Sequence, residues 1–167
     1  MVLERPTVFT VLTFHHLGLL TGRPELAARH LKALGYEMGE EVIDPLQEVR
    51  LRFGYPQGAT IDSAVGPAVE LITPLPGNIA LGRLLKRRDD YIYHICYEVT
   101  DLKSALAVLT VEEMPPAEIS VPKPAVLFGG AEVSFYLTAG LGLIELIDLK
   151  SGPKPEACFM TNLVNNQ

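Results

Sequence analysis

The chain has 167 residues, 48% of them hydrophobic and 20% charged, a composition that builds a packed core and excludes extended disorder. Its net charge of -6 offers no general attraction to nucleic acid or anionic lipid, and no run approaches the roughly 18–20 apolar residues of a membrane span. Two cysteines, Cys96 and Cys158, make neither a disulfide framework nor a zinc-knuckle spacing, and the N-terminus lacks the residue order of a signal peptide, so the expectation is a soluble cytoplasmic protein that binds neither nucleic acid nor membrane.

In chain order, His16 to Leu20 is apolar enough for a strand, which Thr10 to Phe14 extends backwards. Pro24 to Leu34 reads as a helix with a first-turn proline; Leu26, Leu31 and Leu34 share a face, and Gly35 stops it. Val49 to Phe53 alternates apolar and charged residues as a half-buried strand does, and a turn follows around Pro56. Ala68 to Ile72 is a further strand, ended by Pro74 and Pro76. Asn78 caps a short helix through Leu85, whose end collects Lys86, Arg87 and Arg88. The second half repeats the plan. A strand from Ile92 to Val99 leads to Asp101, an N-cap, and a helix through Leu109. "MPPAEISVPKPAVLFGG" is extended and suits an edge strand and a loop. Glu132 to Leu137 and Leu143 to Ile147 complete the strands, and a loose polar tail follows Gly152.

The halves overlay. His16 and His94 are 78 positions apart, as are Leu31 and Leu109, while Glu70 in "VELI" and Glu145 in "IELI" are 75 apart. Each half therefore offers a histidine on its first strand and a glutamate on its last. A carboxylate buried among apolar neighbours without a partner costs several kcal/mol, about the penalty for an uncompensated buried charge. One divalent cation would serve both glutamates. Two imidazoles and two carboxylates form a mixed nitrogen and oxygen set suited to zinc, cobalt, nickel, manganese or iron(II). The alternative is that the glutamates bond to arginines or backbone while both histidines are core residues.

"FHHLGLL", "AVELITPL", "YHICYEV" and "GLIELID", with the paired half-repeats, resemble the vicinal oxygen chelate superfamily, also called the glyoxalase/bleomycin-resistance/dioxygenase superfamily. The resemblance spans roughly residues 13 to 149, and the order of "VELITPL", "NIALGRLLKRRDD" and "YHICYEV" is most like the methylmalonyl-CoA epimerases. It implies an α+β fold of two tandem βαβββ modules forming cupped mixed sheets, at 13–75 and 91–149, joined by a linker helix at 76–90 and followed by a tail at 150–167. It also implies a homodimer and one divalent ion held by His16, Glu70, His94 and Glu145. The epimerases usually carry glutamine in the place of Glu70, and glutamate there is similar to bacterial glyoxalase I. The epimerases also take one of two catalytic acid/bases from a glutamate-rich loop before the third strand. Here that region reads "EEVIDPLQEVRLRF", and Asp44 is the nearest counterpart, unless it is a turn residue. Glu48, by alternation with Val49, should face the other side of the sheet.

The implied chemistry is proton abstraction alpha to a metal-bound carbonyl of a small molecule such as an acyl-CoA thioester, with Glu145 as ligand and acid/base and Asp44 as its partner. Its rivals are a glyoxalase I-like lyase on a hemithioacetal, an iron(II) dioxygenase, whose open positions a fourth protein ligand would crowd, and a metal-free binding or resistance protein. Among the remaining residues, Lys123 could meet an anionic substrate and Gly129-Gly130 could hinge over the site, or both could be an exposed lysine and a tight turn. Arg83, Lys86, Arg87 and Arg88 could contact a coenzyme A phosphate, or form a solvated helix end. Cys96 shares the alternation of His94, as a small residue lining the cup, and His30 lies on an exposed helix face. His15 should point away from His16 across the sheet.

Overall fold

A computed structural model of the chain describes residues 11–57, 66–148 and 150–151. The elements are β1 (Leu12–Leu20), α1 (Pro24–Ala33), β2 (Tyr36–Asp44), β3 (Val49–Pro56), β4 (Ala68–Pro74), α2 (Ile79–Arg87), β5 (Tyr91–Val99), α3 (Leu102–Leu109), β6 (Ala117–Pro124), β7 (Glu132–Thr138) and β8 (Gly142–Asp148), with a short 3-10 turn at Val126–Phe128. The eight strands form one mixed sheet in the order β2-β3-β4-β1-β5-β8-β7-β6. The fold is α+β, and the chain repeats itself about the central seam. β1 runs parallel to β4, β5 runs parallel to β8, and β1 and β5 pair antiparallel to join the halves. Residues 152–167, the expected loose tail, lie outside the described residues. Among the described residues, no helix is long and apolar enough to cross a membrane.

The two helices that start at side-chain caps do so for local reasons. Asn78 Oδ1 accepts from the Leu81 amide at 3.0 Å and Asp101 Oδ1 from the Ser104 amide at 2.7 Å, each satisfying a donor the first turn would leave free. α3 buries Ala105 and packs Leu102, Leu106 and Leu109 against Val99, Ile144 and Leu146. α2 packs Leu81, Leu84 and Leu85 against Leu20, Val49, Leu51 and Ile72. α1 departs from the sequence expectation. Its buried residue is Ala28, while Leu26 and Leu34 remain exposed.

β2 is a strand that the periodicity did not reveal. It is an edge strand with Glu37, Glu40 and Glu41 exposed, so it has no apolar alternation to read, and its charges discourage pairing with another chain. Asp44, its last residue, is fully buried. Its Oδ1 accepts from the amides of Leu46 (2.9 Å) and Gln47 (3.0 Å), and its Oδ2 from Gln47 Nε2 (3.2 Å) and from the Val126 amide (3.4 Å). The last bond crosses from the first half to the second and ties the outer strand of one to the loop after the outer strand of the other.

Candidate functional site

The pairing of the four central strands sets two rows across the sheet. In one, Glu70 on β4 lies opposite Gly18 on β1, which lies opposite His94 on β5. In the other, His16 on β1 lies opposite Cys96 on β5, which lies opposite Glu145 on β8. The rows are two residues apart, so all four polar side chains emerge on the same face. The structure thus brings together His16, Glu70, His94 and Glu145, between 0% and 3% exposed, with ligand atoms all within 4.8 Å of one another.

His16 Nε2 lies 3.2 Å from His94 Nε2, 3.4 Å from Glu70 Oε2 and 3.4 Å from Glu145 Oε2; His94 Nε2 lies 3.2 Å from Glu145 Oε2 and 3.8 Å from Glu70 Oε2. Four ligands about 2.1 Å from a central ion would sit about 3.4 Å apart, so this spacing fits a divalent cation. Glu145 Oε2 is also buried without a hydrogen bond, though it lies close to both imidazole nitrogens. Such an atom is costly unless a cation or proton occupies the space between them. Burial alone would lower His16, but the facing carboxylates of Glu145 and Glu70 raise it to about 9. Burial alone would raise Glu145, but the facing His94 and His16 rings hold it far below the usual carboxylate range. The raised His16 and the lowered Glu145 together favour a proton on the imidazole in the metal-free chain.

Gly18 makes the arrangement possible. A Cβ built there would lie 2.3, 2.4 and 2.6 Å from Cε1, Nε2 and Nδ1 of His94, so the imidazole occupies the volume a side chain would fill. At the corresponding position of the second half stands Cys96, fully buried, its thiol pushed up by burial and by Glu145. Such a thiol is neutral and packs as a small apolar group.

Glu70, His94 and Glu145 line a cavity of about 360 Å³, in which Leu51, Ile72, Phe128 and Phe135 supply apolar wall, and His16 stands fully buried beside them. Asp44 is not brought there. Its oxygens are engaged by the hairpin turn and by Val126, the arrangement of a turn residue and clasp. Glu48 does line the cavity, contrary to the alternation argument. Its φ of 54° is left-handed, which breaks the pleat before β3 begins and turns the side chain inward. The Glu48 carboxylate lies against Gly77, where a Cβ would come 2.7 Å from Oε1. Pro45 and the two residues after it announce a turn, but nothing in the sequence announces the positive φ.

Lys123 is the cation among the described residues that line the cavity. Arg83, Lys86, Arg87 and Arg88 are exposed toward the far end of α2, whereas Asn78, Ala80 and Leu81, near its start, line the cavity. Arg88 instead covers the Tyr91 ring, 5.2 Å from its centroid. Gly129 and Gly130, with φ of 63° and 88°, close a tight turn in which the amides of Ala125 and Gly130 bond back to Ala131 and Ala125. That pattern is a fixed turn, not a hinge. His30 is exposed, as expected.

Residues 15–135 match the family described as the Glyoxalase/Bleomycin resistance protein/Dioxygenase superfamily. No curated protein matches the sequence. Similar solved structures include the methylmalonyl-CoA epimerase of Mycobacterium tuberculosis, with a TM-score of 0.67 and 20% identity, over 89% of this chain and 93% of that one. A hypothetical protein of Bacillus halodurans gives 0.63 and 20%, over 82% and 94%. A variant methylmalonyl-CoA epimerase of Streptomyces coelicolor, in complex with 2-nitronate-propionyl-CoA, gives 0.64 and 17%, over 83% and 97%.

Proposed function

Since the chain belongs to the glyoxalase/bleomycin resistance protein/dioxygenase superfamily, we propose that it is a divalent-metal-dependent epimerase or isomerase that moves a proton alpha to a carbonyl, acting on an acyl-CoA thioester such as methylmalonyl-CoA. The observation that carries this reading is the convergence of two histidines and two glutamates, of which Glu70, His94 and Glu145 line one cavity. The similar structures of methylmalonyl-CoA epimerases, one of them in complex with methylmalonyl-CoA and NH4+, support the choice of substrate class.

His16, Glu70, His94 and Glu145 would hold the ion. When bound, a divalent ion acts as a Lewis acid toward a carbonyl oxygen and so acidifies the neighbouring C–H. The chain's own groups then handle the proton. Glu145 reaches the cavity from β8 and Glu48 from the β2–β3 turn, so a carbon held between them can lose a proton to one carboxylate and regain it from the other, with inversion. Glu48 takes the part that the sequence suggested for Asp44. Lys123 provides the charge for an anionic substrate group, and the surrounding leucine, isoleucine and phenylalanine side chains keep water from competing for the proton.

A second reading has one observation in its favour. Glu70, where the epimerases usually have glutamine, lies 3.4 Å from His16 and matches the glyoxalase I-like ligand set, which would act on a hemithioacetal with the same proton transfer. The deciding experiment is metal analysis of the purified protein, followed by solvent deuterium exchange into methylmalonyl-CoA beside turnover of a glutathione hemithioacetal. Metal-dependent exchange into the thioester supports the epimerase reading. Turnover of the hemithioacetal alone selects the second, and a protein that binds no metal refutes both.

A further inference from the structure

His15 is the surprise of the first strand. Neighbours on a strand point to opposite faces, yet His15 Nδ1 lies 2.6 Å from His16 Nδ1. The cause is a bulge. Phe14 pairs with Tyr97 and His16 with Cys96, so His15 is an extra residue on β1 with no opposite number on β5. The bulge turns its ring alongside that of His16, where the edges of Phe53 and Phe128 hold it. On its other side, His15 Nε2 lies 3.6 Å from Glu98 Oε1. The three groups form a chain that ends on the metal set: Glu98, His15, His16, and then the cluster of His94, Glu70 and Glu145.

The chain has a direction. A ring nitrogen cannot bind a cation while it carries a proton, so His16 must present a bare Nε2 to the cluster and carry its proton on Nδ1. That proton points at His15 Nδ1, 2.6 Å away, which can accept it only if His15 carries its own proton on Nε2. The carboxylate of Glu98 stands beside Nε2 and favours a proton there. We propose that His15, oriented by Glu98, is a positioning residue that fixes the tautomer and ring angle of His16 as a metal ligand. The inference rests on the metal reading above. It adds to it a histidine outside the ligand set, placed by the bulge in β1. Partners of this kind, accepting from the second nitrogen of a ligand imidazole, typically change metal affinity by roughly 10–100-fold when removed.

The test compares His15→Phe, which keeps a ring between Phe53 and Phe128 but accepts no proton, with His15→Asn, whose amide oxygen can stand where Nδ1 stood. Zinc and cobalt(II) affinities are measured by calorimetry on both variants, on Glu98→Gln and on the unchanged protein, with thermal melts of the metal-free forms as a folding control. The His16 Nδ1 proton is followed by NMR in the zinc form. We expect H15F to bind metal about 10–100-fold more weakly and to lose the hydrogen-bonded shift of the His16 Nδ1 proton. H15N should keep most of both, and E98Q should fall between. If folded H15F binds zinc as the unchanged protein does, the positioning role is refuted and the metal site stands. If the unchanged protein binds no metal, both fall.

Discussion

Substituting Gly18 by alanine is the most direct physical perturbation of the site. Gly18 is not among the glycines with positive φ, so the strand backbone accepts an L side chain there. The added Cβ would lie 2.3 Å from His94 Cε1, against an ordinary contact of 3.4 Å, so the ring must retreat by roughly 1.1 Å, the difference between the two. Metal ligands tolerate about 0.2 Å. A displacement several times larger removes His94 from the set while leaving His16, Glu70 and Glu145 in place. Forcing a methyl group into a packed site costs about 1–3 kcal/mol, and the reduced freedom of the unfolded chain returns about 0.4–1 kcal/mol, so the metal-free variant should remain folded. Its zinc affinity should drop by at least the roughly 10–100-fold seen when a mere outer partner is lost. Calorimetric titration of Gly18→Ala with zinc, beside a melt of the metal-free protein, reads both quantities. A folded G18A with unchanged zinc affinity would mean that His94 is not a ligand, and the reasoning from the cramped ring would fail.

Five further outcomes are expected. The proton that Glu145 and Glu70 hold on buried His16 up to about pH 9 must leave when metal binds, so apparent affinity should rise with pH up to about 9 and one proton should be released, read by calorimetry in two buffers of different ionisation heat. In the metal-free chain the same group has a folded value above its unfolded 6.5, so its stabilisation is complete below pH 6.5 and is lost as pH climbs through about 9; melts of chelated protein that improve over this window would contradict the assignment. Lys123→Glu should raise KM for a coenzyme A thioester and reduce its salt sensitivity, whereas reversal at Arg87 and Arg88 should do little; the opposite ranking would move the anion site to the end of α2. Asn78→Ala removes both the α2 cap and the bond from Nδ2 to the Gln47 carbonyl at 3.0 Å, and should cost about 1–2 kcal/mol, or about 2–8 °C in Tm by thermal melt. The open edge at β6, with Ile119 and Val121 both 58% exposed, leads us to expect a homodimer by light scattering, and a monomer at tens of micromolar protein would count against it.

What the sequence disclosed depended on whether the signal was local or repeated. The caps at Asn78 and Asp101 were legible because each side chain acts on an amide three residues away. The four buried polar residues were legible because each half repeats the same histidine and glutamate in the same kind of strand, and a coincidence of four is harder to explain as chance burial than any one alone. What stayed hidden lay in relations between strands. The position of His15 follows from a register slip between β1 and β5, which alternation along β1 cannot show. The inward turn of Glu48 follows from a backbone conformation that glutamate seldom adopts. β2 hides because an edge strand bearing charge on both faces has no period to detect, and the exposed leucines of α1 show that helical spacing alone does not say which face is covered.

Beside the quartet the two halves differ at one facing position, where Gly18 lies against the His94 ring and Cys96 stands in its symmetric place. Two separate copies of a half-length chain could assemble a histidine–glutamate quartet of the same kind, but they would carry the same residue at both places. Either both would be glycine, leaving a gap beside one imidazole, or both would have side chains, crowding the other. Joining the copies into one polypeptide lifts that constraint and lets the two flanks of the quartet differ. A site with unlike flanks gives the two ends of a bound molecule different surroundings, so the departure from twofold symmetry lets the cavity favour one orientation of a substrate over the reversed one.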